Sequence, residues 1–188
     1  RVFRDIGLVT IDEPFTRLLT QGMVLRYGAV MSKSRGNVVD PDDMIEQFGA
    51  DALRLYVMFV APPEKEVEWT DTGLEGAFRF LNRVWRLVDH LSAALRQAPA
   101  VTGLAFDDAE RAMRRKTHIT IRRVTQDIDP RVHLNTAVAA LMELVNELYA
   151  SENQISKPFL RDVLETVVKL LAPFAPYLAQ ELWTQLVH

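Results

Sequence analysis

Beyond residue 70, apolar residues recur at three- and four-residue steps, a spacing that predicts one helix after another. Leu74, Phe78, Leu81, Trp85, Val88 and Leu91 trace one apolar stripe, behind a start that Thr70 or Asp71 can cap. Met113, Thr117, Ile121, Val124 and Ile128 trace a second from about Asp107, and Asp129-Pro130 breaks it. Leu134 to Tyr149, rich in Ala, Leu, Val and Glu, is the cleanest helix of the chain. Pro158 opens another through Leu171 and Pro176 opens the last, through Val187; proline's missing N–H is no loss in a first helical turn. Residues 97–106 carry Pro99, Gly103 and few charges, and read as a linker. Amphipathic helices joined by short breaks predict an antiparallel bundle over 70–188.

The first 69 residues are less regular. A short helix is expected near Phe15 to Leu19, then two short strands meeting around Arg26 to Gly28 as a β-hairpin. Residues 32–37, Ser-Lys-Ser-Arg-Gly-Asn, hold no large apolar group and predict a loop. Asp40 is the N-cap candidate of the next helix, with Pro41 in its first position and Asp42 and Asp43 against its positive end. That helix should stop near Phe48, with Gly49 as a left-handed C-cap. A largely apolar helix follows from Ala50 to about Val60 and ends at Pro62-Pro63. The fold class expected is therefore mainly α: a hairpin and two helices, then the bundle.

Composition narrows what such a chain can do. With 188 residues, 48% hydrophobic and 25% charged, it can bury a core and still dissolve. A net charge of −3 argues against binding nucleic acid through bulk positive charge, so any such site must come from local clusters of Arg and Lys. There is no cysteine, which excludes a disulfide scaffold and thiolate metal sites in this stretch. His90, His118, His133 and His188 are scattered, have no metal-ligand spacing with nearby acids, and read as surface or packed histidines, so no metal site is expected. No apolar run spans a bilayer, so no membrane association is expected. The chain begins at Arg1, and we expect that start to be a cut within a longer protein.

Candidate chemistry concentrates in residues 30–40, V-M-S-K-S-R-G-N-V-V-D. Small hydroxyl residues around one lysine suit phosphates: backbone N–H groups and hydroxyls point inward, and Lys33 supplies a compact charge. By itself, Ser-Lys-Ser is an ordinary solvated-loop composition, and only its context, D-P-D-D-M-I-E-Q-F-G-A-D-A-L-R-L-Y at Asp40 to Tyr56, lifts it above that. Basic residues also line up. Arg79, Arg83 and Arg86 are spaced i, i+4, i+7, and Arg111, Arg115, His118 and Arg122 repeat the spacing on the next long helix, with Arg114, Lys116 and Arg123 nearby. A solvated face is the plain reading, but no Asp or Glu occurs from Arg111 to Gln126, and such a strip repels itself unless an anionic partner meets it. Trp85 and Trp183 follow apolar stripes and read as core, while Trp69 precedes a helix and can staple it.

Together these stretches resemble the class I aminoacyl-tRNA synthetases. That family carries a K-M-S-K-S loop, then G-N, then a helix leading into G-A-D-A-L-R. Met31, Ser32, Lys33, Ser34, Gly36, Asn37, Asp40 and Gly49 to Arg54 fall on this pattern. Val30 replaces the family's first lysine, whose role is not carried over. Glu13 to Val24 and Glu68 to Leu87 look like the leucyl branch, and L-L-A-P-F-A-P-Y-L-A-Q-E-L-W at Leu170 to Trp183 is typical of the bundle across the subclass.

The resemblance implies a boundary between residues 69 and 70, the edge of a catalytic domain before it and an anticodon-binding-type bundle after it. It implies ATP as substrate with Mg2+ in the intact enzyme, none of it bound to this portion alone. Met31, Ser32, Lys33 and Ser34 would bind ATP, and Lys33 would act catalytically by stabilising the pyrophosphate leaving group. Arg111, Arg115 and Arg122, with Arg79, Arg83 and Arg86, would contact a leucine tRNA along its body rather than at the anticodon. The partners implied are that tRNA and the remainder of the synthetase, in the cytoplasm, with this portion a monomer. No H-I-G-H type motif or editing-like stretch occurs in these residues, so this portion is expected to be inactive alone. An isoleucyl or valyl relative and a non-catalytic RNA-binding helical module are the alternatives; a pure binding module has no use for Lys33 between two serines.

Overall fold

The computed structural model describes residues 1–13, 15–99, 101 and 106–187. Gly103 and half of the expected linker (100 and 102–105), and His188, lie outside them. The chain opens with a four-residue helix, α1 (Val2–Asp5). The helix expected at Phe15 to Leu19 is absent: that stretch is irregular, and Phe15 and Leu18 are 81% and 85% exposed. Five residues with no surface to pack against cannot offset the cost of nucleating a helix.

The hairpin forms as expected from β1 (Val24–Arg26) and β2 (Ala29–Val30), with Leu25 opposite Val30 and Arg26 opposite Ala29. Its turn residues Tyr27 and Gly28 both have positive φ, 57° and 70°, the sense that matches strand twist in a two-residue turn. A third strand, β3 (Val67–Glu68), pairs parallel with the other edge of β1, so the sheet order is β2-β1-β3. Nothing in two residues of sequence announces that strand; its pairing with β1 alone defines it. Gly22 is obligatory here, because a Cβ would sit 2.1 Å from the Lys65 carbonyl oxygen.

Helix α2 (Pro41–Phe48) starts as predicted, with the Asp40 carboxylate accepting the Asp42 N–H at 3.0 Å. Gly49 has the expected positive φ of 84°, but its ψ of 154° is extended rather than left-handed helical. The reason is spatial: α3 (Ala50–Phe59) starts at the next residue, so the chain must redirect in one step instead of closing a C-terminal turn. Ala52, Leu55 and Tyr56 bury the face of α3 that meets the bundle.

The bundle consists of α4 (Asp71–Arg96), α5 (Asp108–Ile128), α6 (Leu134–Ser151), α7 (Lys157–Leu171) and α8 (Pro176–Val187). Leucines from five helices, among them Leu55, Leu74, Leu141, Leu164 and Leu182, are fully buried together. On α4 the buried stripe runs through Leu74, Ala77, Phe80, Leu81, Val84, Leu87 and Val88. Phe78 lies off it, 38% exposed against Phe48, and Trp85 is only half-buried. Packing against α3 on one side and α8 on another broadens the buried face and turns those two aromatics to its flank. No helix among the described residues is long and apolar enough to cross a membrane.

Two buried carboxylates stitch the bundle. Glu110 accepts both the backbone N–H (3.1 Å) and the hydroxyl (2.5 Å) of Ser156, joining the start of α5 to the start of α7. Asp127 accepts the Thr136 hydroxyl at 2.6 Å and joins α5 to α6.

Gly73, in the first turn of α4, faces the Tyr56 ring, and a Cβ there would lie 2.5 Å from Cε2 and 2.8 Å from Thr70 Oγ1. Alanine normally favours a helix over glycine by about 1 kcal/mol. Overpacking of this kind costs about 1–3 kcal/mol. Gly73→Ala is therefore expected to lower the denaturant midpoint of the chain; an unchanged or raised midpoint would remove the close approach as a constraint.

Candidate functional site

The loop that carries Lys33 begins where β2 ends. Ser32 is extended, Lys33–Arg35 make one 3-10 turn, and Gly36 closes it in the left-handed region at φ 65° and ψ 18°. Within the turn the Arg35 N–H bonds the Ser32 carbonyl at 3.0 Å, and the Gly36 N–H bonds the Lys33 carbonyl at 3.2 Å. The Ser32 and Ser34 hydroxyls bond each other at 2.8 Å. Met31 and Ser32 are half-buried, while Lys33 and Ser34 are exposed, so the ammonium projects from a short, internally bonded turn.

Asn37 holds this turn in place. Its side-chain amide is buried and donates to the carbonyls of Arg26 (3.2 Å), Ala29 (3.3 Å) and Val30 (3.3 Å), while its Oδ1 accepts the Ser32 N–H at 2.8 Å. Sequence reasoning placed Asn37 on a motif without giving it work. A polar residue directly after a glycine turn was the available signal, since a buried amide must find partners for all its polar atoms.

The motif after the loop acts at long range. The Asp51 carboxylate accepts the Leu178 N–H at 2.6 Å, across 127 positions, and so caps the first turn of α8. The Arg54 guanidinium donates to the Pro173 carbonyl at 3.0 Å, in the turn between α7 and α8. Tyr56 Oη accepts the Thr70 N–H at 2.9 Å, and its ring meets the Trp69 ring edge-on at 4.9 Å. Trp69 also donates to Asp71 at 2.9 Å.

The basic residues form two faces. Arg79, Arg83 and Arg86 are exposed on α4, and Arg111, Arg115 and Arg122 are exposed on α5, opposite its buried stripe. Among the described residues α4 and α5 do not pack on each other, and each adjoins α6, so the faces remain separate. Arg83 stacks over the Tyr149 ring at 4.9 Å, and Arg114 over Phe106 at 5.0 Å.

The α5 strip is less bare of acids than residues 111–126 suggest, because Asp108 and Asp127 flank it on the same helix and packing adds Glu143 from α6. Arg111 pairs with Asp108 at 2.5 Å, Lys116 with Glu143 on α6 at 2.8 Å, and Arg123 and Arg131 converge on Asp127 at 3.7 and 3.4 Å. The Lys116 ammonium holds the Glu143 carboxyl below its ordinary range. Among the described residues Arg115 and Arg122 have no carboxylate at ion-pair distance. No group of three or more His, Asp or Glu there is arranged to hold a metal.

Comparison with known proteins matches both halves. The family model described as "tRNA synthetases class I (I, L, M and V)" matches residues 6–70, and that described as "Anticodon-binding domain of tRNA ligase" matches residues 110–188. The leucine–tRNA ligase of Syntrophobacter fumaroxidans is 51% identical over 194 residues, covering 100% of this chain and 23% of that protein. The leucine–tRNA ligase of Geotalea uraniireducens is 51% identical over 189 residues, covering 99% and 23%. The chain thus spans about a quarter of the length of these curated relatives. Among solved structures, a ternary LeuRS–tRNA–LeuAMS complex from Agrobacterium radiobacter K84 (agnB2) matches with a TM-score of 0.87 and 37% identity, over 98% of this chain and 24% of that one.

The cap at Asp51 yields a stability test. Removing a side-chain cap costs about 1 kcal/mol, up to ~2. Asp51→Ala should lower the unfolding free energy of the chain by that amount, and Asp51→Asn, which still offers an oxygen to the Leu178 N–H, should keep most of it. Equal losses in chemical denaturation would show that the carboxylate acts there as a charge and not as a cap.

Proposed function

Since this chain belongs to the class I tRNA synthetase family, we propose that it is a portion of a leucine–tRNA ligase, which activates leucine with ATP and transfers it to its tRNA. Identity near 50% to leucine–tRNA ligases along the whole chain supports the leucyl reading over an isoleucyl or valyl one. The division of labour proposed is residues 1–69 as the edge of the catalytic domain and residues 70–188 as the tRNA-contacting bundle. We assign it to the cytoplasm, as a monomeric portion of the longer protein.

The observation that carries the ATP reading is the anchored turn that presents Lys33 to solvent. In this reading Met31, Ser32, Lys33 and Ser34 close on ATP, with backbone N–H groups and hydroxyls toward the phosphates. As the leucine carboxylate attacks the α-phosphate, negative charge grows on the departing pyrophosphate, and the Lys33 ammonium offsets it. Lys33 moves no proton in that step. The intact enzyme would use Mg2+ with ATP; among the described residues no group of three or more His, Asp or Glu is arranged to hold that ion.

Two outcomes follow for activation. This chain alone should show no leucine-dependent ATP–pyrophosphate exchange, since one lysine loop cannot position both ATP and leucine. In the full-length ligase, Lys33→Ala should slow exchange by about 10²-fold or more, on the scale of losing one transition-state contact. Its KM for leucine should barely change. Collapse of leucine affinity with the saturated rate preserved would reject the role given to Lys33.

The bundle is proposed to lean on the body of the tRNA through Arg111, Arg115 and Arg122, with Arg79, Arg83 and Arg86 as a second contact face. Each phosphate contact contributes about one unit to the slope of log affinity against log salt. Changing Arg111, Arg115 and Arg122 to Gln should flatten that slope by about two to three units, nearer two if Arg111 stays with Asp108. Circular dichroism should be unaltered, and a leucine tRNA with a swapped anticodon should bind about as well as the original. An unaltered slope would make the strip an ordinary solvated face, and strong anticodon dependence would favour an isoleucyl- or valyl-like bundle.

A further inference from the structure

We propose that Asn37 is the positioning residue of the lysine loop, the single side chain that sets where Lys33 stands. The inference deepens, and rests on, the role proposed for Lys33. Lys33 is exposed and forms no ion pair among the described residues, so its position is inherited from the turn beneath it. That turn has little packing of its own: a Cβ built on Gly36 would meet nothing within 4 Å, and Lys33, Ser34, Arg35 and Gly36 are all exposed.

Its attachment is polar and converges on one group. Asn37 is 6% exposed, the lowest value before Ala52 among the described residues. Its Nδ2 faces three carbonyls drawn from β1 and β2, and its Oδ1 faces the Ser32 N–H. The partners fix the amide's orientation, since carbonyls can only accept and an N–H can only donate. One side chain therefore joins the first residue of the turn to both strands of the hairpin. The Arg26 guanidinium adds one weaker tie to the Val38 carbonyl at 3.3 Å. A group acting in a transition state loses rate steeply when displaced, about 10²-fold for 1 Å.

Aspartate at position 37 has the same shape and can still accept the Ser32 N–H, but it turns lone pairs toward the three carbonyls. In the full-length ligase, Asn37→Asp should slow ATP–pyrophosphate exchange by about 10- to 100-fold, with KM for leucine unchanged. Asn37→Ala should act in the same direction. Because Asn37 acts through Lys33, the loss should vanish in a Lys33→Ala background. In the present chain, the Ser32 amide should exchange with solvent at least about tenfold faster in Asn37→Asp, while core amides of α4 and α6 keep their protection. The same fold loss in both backgrounds would overturn the proposal, leaving Asn37 a structural residue only. Unchanged Ser32 exchange would overturn the clamp itself. A Lys33→Ala ligase as fast as wild type would instead reject the reading of Lys33, and Ser32 exchange would still decide on the clamp.

Discussion

Helix α8 begins with backbone N–H groups that have no partner within the helix, and one of them is satisfied by a carboxylate from the first turn of α3. The bond from the Leu178 N–H to Asp51, at 2.6 Å, spans 127 positions, and the neighbouring bond from Arg54 to the Pro173 carbonyl grips the turn that leads into α8. Around these two polar contacts, Ala52, Leu55 and Tyr56 seal the apolar face of α3 against the bundle. This junction matters because the segment before it has almost no core. Among the described residues before Ala52, only Asn37 is buried, and it is polar. The hairpin and lysine loop are thus held to the rest of the molecule through α2, which packs on α3 and α4, and through the pairing of β1 with β3.

The bundle and the lysine loop are held by different forces. The bundle is held by apolar burial, which is lost only by unfolding, and by buried carboxylates at Glu110 and Asp127 whose partners sit on neighbouring helices. The lysine turn is held by hydrogen bonds at its base, each worth about 1 kcal/mol net. The basic faces on α4 and α5 occupy the sides of those helices left free by packing. Long arginine side chains there keep their charge in water at little cost.

Much of the helical architecture was legible because it is local. The α5, α7 and α8 starts coincide with Asp107, Lys157-Pro158 and Pro176, where a cap or a proline acts within one turn. The short elements were not. A helix at Phe15 to Leu19 has the right residues but nothing to bury them, and β3 exists only because β1 lies beside it. On α4 the apolar spacing was correct, yet Phe78 and Trp85 fell to the flank once neighbours on two sides widened the buried arc. At the candidate site, Lys33 and its serines stood out by motif, whereas Asn37 looked like one more polar loop residue.

Periodicity, caps and turn residues act over a few positions, so the long helices, the hairpin and the loop that displays Lys33 follow from the chain read on its own. Which distant groups meet is a different matter. Asp51 with Leu178, Glu110 with Ser156, Lys116 with Glu143, and β1 with β3 are pairings between remote segments. No spacing rule encodes them. They are decided when the helices close on a common core and each buried polar group must take whichever partner that packing leaves within reach.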